Sequence, residues 1–313
     1  MFLCFLLAIT FGMSSANTFF EKPVKVIVPL GPGGGVDIIA RVLSKNLAEI
    51  WKIPVIVENR PGASAIIGGK FVAESVPDGN TLLFYDASSY ARHTILYPKD
   101  FNFNWEKELS ILNHLQGTYF VLVIPSKMGI KNLKELQDSV KSSGLSFGST
   151  SSGSPSHTYG ELIAEKLKAK SIHVAYKSQG QAILDILNGN LDMLIVNTTL
   201  VMQHIQTGAL TPLVVFSNKE SLELPGVPTI KTLENSDFNN LTTTYNFFVT
   251  SKASDGVKEK LRADINEAIK MSLDELRDKK LIDANYVPRK DQHSEFDSII
   301  KSWKNATSKL VKN

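Results

Sequence analysis

Residues 24–51 read VKVIVPLGPGGGVDIIARVLSKNLAEIW. The β-branched run from Val24 to Leu30 stops at Gly31-Pro32-Gly33-Gly34-Gly35. From Asp37 onward, Ile38, Val42, Leu43, Leu47, Ile50 and Trp51 return at helical spacing. The segment therefore predicts a strand, a glycine turn and a helix. The unit repeats: Val55-Ile56-Val57 leads through Asn59-Arg60-Pro61-Gly62-Ala63-Ser64 into a helix over 66–75, and residues 81–85 lead into Asp86-Ala87-Ser88-Ser89. Repeated strand, loop and helix units predict a parallel sheet covered on both faces.

After Pro125 the alternation restarts, with helices expected over 133–140, 157–167, 181–187 and 200–206 and strands over 145–148, 172–175, 193–196 and 213–216. Beyond Leu224-Pro225-Gly226-Val227-Pro228, one more strand at 245–250 precedes three helical stretches. The fold class expected is α/β, with two Rossmann-like lobes. The chain leaves the first lobe near Gly117 and returns near Phe238, so 17–117 plus 238–313 form lobe 1 and 118–237 form lobe 2. Two crossing strands of this kind work as a hinge.

Of 313 residues, 43% are hydrophobic and 21% charged, which excludes a disordered chain, a collagen-like repeat and a coiled coil. The formal charge is +3, with both signs dispersed along the chain, so nucleic acid is not an expected partner. Residues 1–16, MFLCFLLAITFGMSSA, carry no charge and end in small residues. They read as a secretory signal peptide, with Ser14 and Ala16 at the cleavage positions. No basic residue precedes the apolar run, an irregularity that a start codon further upstream would explain. The only cysteine, Cys4, lies in this leader, so a mature chain from Asn17 has no thiol for catalysis or disulfides.

The six histidines form no metal-ligand spacing, and no cofactor or metal is expected. Gly144-Leu145-Ser146-Phe147-Gly148 matches the pattern of a nucleophile elbow, but Ser146 falls inside a strand, and a helix rather than a strand precedes the motif. The glycine run at 31–35 lacks the last glycine of a dinucleotide fingerprint and the Lys-Ser/Thr of a phosphate loop. The loops at Gly33–Gly35, Gly62–Ala65, Ser88–Ser89 and Ser151–Ser154 are instead small, neutral and placed at strand C-terminal ends ahead of helices. Backbone N–H groups and helix N-termini in such loops hold an anion without lysine or arginine. At about 1.5–3 kcal/mol for each hydrogen bond to a charge, three or four reach the roughly 8 kcal/mol of micromolar binding. In open α/β sheets the crevice beyond the strand ends is the ligand site. Asp37 either caps the first helix, orders the glycine loop or contacts the ligand. Tyr176 and Lys177 end a strand and either line the cleft or face solvent.

The motifs Lys22-Pro23-Val24-Lys25-Val26-Ile27-Val28-Pro29, Val57-Glu58-Asn59-Arg60-Pro61-Gly62-Ala63, Pro77-Asp78-Gly79-Asn80-Thr81, Ser151-Ser152-Gly153-Ser154-Pro155-Ser156-His157 and Gly189-Asn190-Leu191-Asp192 resemble the Bug family. These are periplasmic receptors of tripartite tricarboxylate transporters, and the resemblance spans nearly the whole mature chain. It implies a type II-like two-lobe periplasmic-binding-protein fold and no catalysis. The implied cargo is a di- or tricarboxylate or an aromatic acid, and the implied partner is a membrane permease, with the receptor a monomer. The ligand set expected from it together with the loops is Gly33, Gly34, Gly35, Asp37, Ser64, Ala65, Ser88, Ser152, Gly153, Ser154, His157, Tyr176 and Asn197. Two departures bear on ligand choice: Leu30-Gly31-Pro32 stands where relatives often have Phe-Pro-Pro, and Val196 stands where many have an acid. The missing acid predicts a plain carboxylate rather than an amino acid. The competing readings are a periplasmic sensor for a membrane histidine kinase, the effector lobes of a transcription regulator, and a hydrolase built on Ser146.

Overall fold

The computed structural model describes residues 20–99, 102–117, 119–141, 144–150, 153–217, 220–221, 223–233, 243–282, 286, 288 and 293–312. The leader and Ser152 fall outside them. The chain begins β1 (Val24–Val28), α1 (Gly35–Trp51), β2 (Val55–Asn59), α2 (Ile66–Ala73), β3 (Thr81–Tyr85), α3 (Ala87–Leu96), α4 (Trp105–Glu108), β4 (Leu109–Ile111) and β5 (Leu115–Gln116). It continues as β6 (Phe120–Pro125), α5 (Leu133–Val140), β7 (Leu145–Ser149), α6 (Pro155–Leu167), β8 (Ser171–Ala175), α7 (Gln179–Asn188), β9 (Met193–Asn197), α8 (Thr198–Gln206) and β10 (Leu210–Val215). It closes with β11 (Thr244–Thr250), α9 (Asp255–Asp278) and α10 (His293–Lys312).

Two sheets result. The first has the order β2-β1-β3-β11-β4, with β5 also paired to β11, and the second has the order β10-β6-β9-β7-β8. Both are mixed, which corrects the all-parallel expectation. β1 is parallel to β2 and β3, and β7 is parallel to β8 and β9. These strands are joined through helices, and a helical crossover returns the chain in the same direction. β11 and β6 arrive without such a crossover and run antiparallel to β3 and β9. Where the chain passes between the sheets, Thr244 and Tyr245 pair with Gln116 and Leu115, and the Gly117 N–H donates to the Thr243 carbonyl at 2.9 Å.

The alternation along each strand separates two buried faces, as a period of two requires. Val26, Val28, Leu82, Phe84 and Phe247 pack with α1 and α9, whereas Ile27, Leu83, Tyr85 and Phe248 pack on the other side. α9 is held to α1 by the Asn46 amide donating to Ser272 Oγ (2.6 Å) and Trp51 Nε1 donating to Asp264 (2.6 Å). Only two α-helices follow β11 among the described residues, instead of three helical stretches, because α9 runs unbroken for 24 residues. α10 also departs from its expected place on lobe 1 alone. Its Ile300 joins the first sheet's core, while Ile299, Trp303 and Ala306 join the core of the second. An amphipathic stripe read from sequence shows that a face is buried, not which of two adjacent cores receives it.

Candidate functional site

The two sheets meet across a narrow cleft whose walls touch. The Gly31 N–H donates to the Lys177 carbonyl at 3.0 Å, and Arg92 Nε donates to the Gly153 carbonyl at 2.8 Å. The Tyr97 ring lies nearly parallel to that of His157, with centroids 6.4 Å apart. A proline at position 31 has no N–H to give, so this chain's departure from Phe-Pro-Pro supplies one of the bonds that bridges the lobes. Between the walls lies a cavity of about 40 Å³, space for about three water molecules.

Helix N-termini line this cavity: Gly34 and Gly35 at α1, Asp86 and Ser89 at α3, Pro155 at α6, and Ser178 and Gln179 at α7. Three of these ends are closed by their own side chains. Asp86 accepts the Ser88 N–H, Ser154 the His157 N–H and Ser178 the Gln181 N–H. α1 is different, because its cap residue Gly34 has no side chain and none caps it from elsewhere. Its first-turn N–H groups are therefore the donors left for a ligand.

The sequence explains why this end is open yet rigid. Gly33 adopts φ +84°, which glycine permits without strain, and its N–H donates to Asp37 Oδ2 at 3.0 Å. The Asp37 carboxylate is 3% exposed and also accepts from Arg41 Nε, Arg41 Nη2 and Asn59 Nδ2. Burial pushes its pKa upward, but the bonds from Arg41, the Gly33 N–H and Asn59 outweigh this and leave it below the ordinary value. Of the three readings, ordering the glycine loop is the one its hydrogen bonds describe, although Asp37 also reaches the cavity wall.

A second ionic cluster was not singled out in the sequence. Arg92 is fully buried, with Nη2 at 3.0 Å from Asp86 Oδ2, further bonds to Ser88 and Ser89, and its guanidinium 3.9 Å above the Trp303 ring. Burial pulls the arginine's pKa down, and the Asp86 charge opposes that shift. Ser88 and Ser89 both donate their hydroxyls to Asp86 and accept from Arg92, and of the two Ser89 also borders the cavity. The spacing Asp86, Ser88, Ser89, Arg92 is a one-face helical pattern that contained this signal.

The Ser/Gly loop stands just behind the wall. The Gly153 N–H donates to His157 Nδ1 at 2.9 Å, and its carbonyl already accepts from Arg92. His157 stacks on His173 at 3.9 Å between centroids and approaches Glu161 at 3.5 Å. Burial, with the neighbouring His157, lowers the His173 pKa to about 4. The unfolded chain, with an ordinary histidine pKa near 6.5, then binds more protons than the native state between these values, so stability rises with pH there. Urea unfolding is expected to show stability intact above about pH 6.5 and falling toward pH 4, with a flatter profile in His173→Gln.

Three more expected site residues are engaged elsewhere. Tyr176 donates its hydroxyl to Asp185 at 2.7 Å, and Ser64 and the buried Ala65 are not among the cavity-lining residues. Ala63, Ser64 and Ala65 do all adopt left-handed φ, +46°, +51° and +73°, a conformation costly without glycine. Ser146 donates to Asp192 at 2.6 Å and receives the Asp192 N–H, a brace between strands. Val196 is fully buried among Val121, Val123 and Leu194, which removes the charge argument built on it: strand alternation turns its neighbour Asn197 toward the cleft instead. Thr150, Thr243, Tyr245 and Phe120 complete the wall without having been expected there.

Residues 39–310 match the tripartite tricarboxylate transporter family receptor. Protein BugT of Bordetella pertussis is 31% identical over 226 residues, covering 72% of this chain and 69% of that protein. A solved periplasmic transporter superposes with a TM-score of 0.82 at 26% identity, covering 94% of this chain and 97% of its own. MatC from Rhodopseudomonas palustris, solved with bound malate, superposes at 0.81 with 22% identity over 93% and 99% of the two chains.

Proposed function

This chain belongs to the tripartite tricarboxylate transporter receptor family, and from that premise we propose that it captures a small organic carboxylate between its lobes and delivers it to a membrane permease of that system. The family and its structural neighbours are solute-binding proteins, not enzymes. No helix among the described residues is long and apolar enough to cross a membrane. In this reading residues 1–16 direct export, lobe 1 is 17–117 plus 238–313, lobe 2 is 118–237, and the receptor works as a monomer in the periplasm. The observation that carries the carboxylate is the uncapped N-terminus of α1 at a buried cleft. Malate in the MatC structure agrees with such a cargo.

Ligand bridging the two walls favours the closed form, and the permease reads that shape. The test is a thermal-shift panel on the mature chain from Asn17, refolded after denaturation to strip carried ligand. At a hundred times its Kd a true cargo adds about 2.7 kcal/mol, a shift of several degrees. A shift with one carboxylate class supports the reading. Shifts only with sugars or amines would overturn it.

A further inference from the structure

Two polar side chains hang over the open end of α1 from different parts of the fold. A Cβ placed on Gly35 would lie 3.8 Å from Tyr245 Oη and 3.9 Å from Asn197 Nδ2. Tyr245 is 3% exposed and comes from the returning strand β11. Asn197 is 1% exposed and comes from the end of β9 in the second sheet. The Asn197 Oδ1 caps α8 by accepting the Thr199 N–H at 3.2 Å, but its Nδ2 has no hydrogen-bond partner. A buried amide N–H group left in that state costs about 1–3 kcal/mol, so it points to an absent acceptor.

We infer that Tyr245 and Asn197 are the two side-chain donors that complete an anion seat over the first turn of α1, and that this seat serves a short acid with a single carboxylate. The inference rests on the receptor reading and narrows its cargo. Everything turned toward the seat donates: the first-turn N–H groups of α1, the phenol O–H and the amide N–H. Burial, and then the Asp86 charge, push the Tyr245 pKa far up against the opposing effect of the neighbouring Asn197 amide, so the phenol keeps its proton.

The rest of the wall sets the other end of the ligand. The described lining residues include no lysine, arginine or histidine, and its two acids are already neutralised from behind, Asp37 by Arg41 and Asp86 by Arg92. A second carboxylate would be desolvated there with neither a cation nor an uncapped helix end to receive it. Hydroxyls of Thr150, Ser178 and Thr243 suit a hydroxyl or carbonyl group. The small volume of the cavity, about 40 Å³, favours a short carbon chain over a ring or a tricarboxylate.

The test is titration calorimetry on the refolded mature chain with lactate, pyruvate and propionate against malate, citrate and benzoate. One of the first three should bind best, with the others at least about 100-fold weaker. Tyr245→Phe should then weaken binding about 10-fold, and Asn197→Asp, which keeps the α8 cap but turns the donor into a like charge, at least about 100-fold. Thermal unfolding of the unliganded Tyr245→Phe variant should match the parent within a degree or two, and circular dichroism should show Asn197→Asp folded at the titration temperature even where its buried carboxylate lowers the midpoint. Tighter binding of malate, citrate or benzoate would overturn the single-carboxylate cargo, and parent-like binding by both variants would overturn the seat, with the receptor reading intact in either case. If none of the six acids binds, the carboxylate reading falls and this inference with it.

Discussion

Replacing Arg92 by methionine is expected to cost about 3–5 kcal/mol of stability, the largest single loss in the lobe interface. Methionine fills much of the volume over the Trp303 ring, so the loss comes from charge rather than from a void. It leaves the Asp86 carboxylate, 3% exposed, without its cation. Breaking a buried pair by removing one partner carries this cost because desolvation of the survivor is no longer compensated. Chemical denaturation reads the change as a drop in midpoint at constant slope. The double variant Asp86→Asn with Arg92→Met should recover part of it, since asparagine still caps α3 and no charge remains. Equal stability of Arg92→Met and the parent would mean the pair contributes nothing net. Because Arg92 also donates across the cleft to Gly153, the single variant that still folds should scatter X-rays as a more open molecule.

Gly35→Val is expected to abolish ligand binding while leaving the fold unharmed. The nearest atoms to an added Cβ at Gly35 are Tyr245 Oη and Asn197 Nδ2, 3.8 and 3.9 Å away. The Cβ of a valine therefore makes only ordinary van der Waals contacts, and its methyls enter the space in front of the α1 N–H groups, where these two side chains alone must give way. No binding should be measurable at about 1,000 times the parent Kd, a loss of at least about 4 kcal/mol. The midpoint of thermal unfolding should not fall, since glycine is itself the poorer residue in a helix. Undiminished binding would place the carboxylate elsewhere in the cleft.

Much of this fold was legible because it depends on local pattern. The run Val24–Val28, the helical spacing after Asp37 and the strand Thr81–Tyr85 appear where periodicity placed them. Val26 and Ile27 alternate between two cores as the period of two requires. The open end of α1 was legible too, because a glycine cap offers no side chain. The short strands β4 and β5 escaped notice because two or three residues carry no period, whereas β6, a buried apolar run from Phe120 to Ile124, was locally legible and was passed over. The direction of β11 was misjudged because it depends on where a segment arrives in the sheet, and pairing partners lie far away in sequence.

The site divides along the same line. Gly34, Gly35 and Asp37 stand at the cavity because a strand–glycine–helix unit places its own turn at the sheet edge. Tyr245 and Asn197 belong to one seat only because two distant strands converge on Gly35, and Arg92 is buried only because α10 from the end of the chain lays Trp303 over it. His157 and Tyr176 carry suitable chemistry, yet their polar atoms are satisfied by Gly153 and Asp185 inside lobe 2. By itself the sequence determined the elements, the family and the open helix end, because these follow from residue type and spacing within a few turns of chain. The tertiary structure alone decided which donors remain unpaired, because that depends on every group brought within hydrogen-bond reach from elsewhere in the molecule.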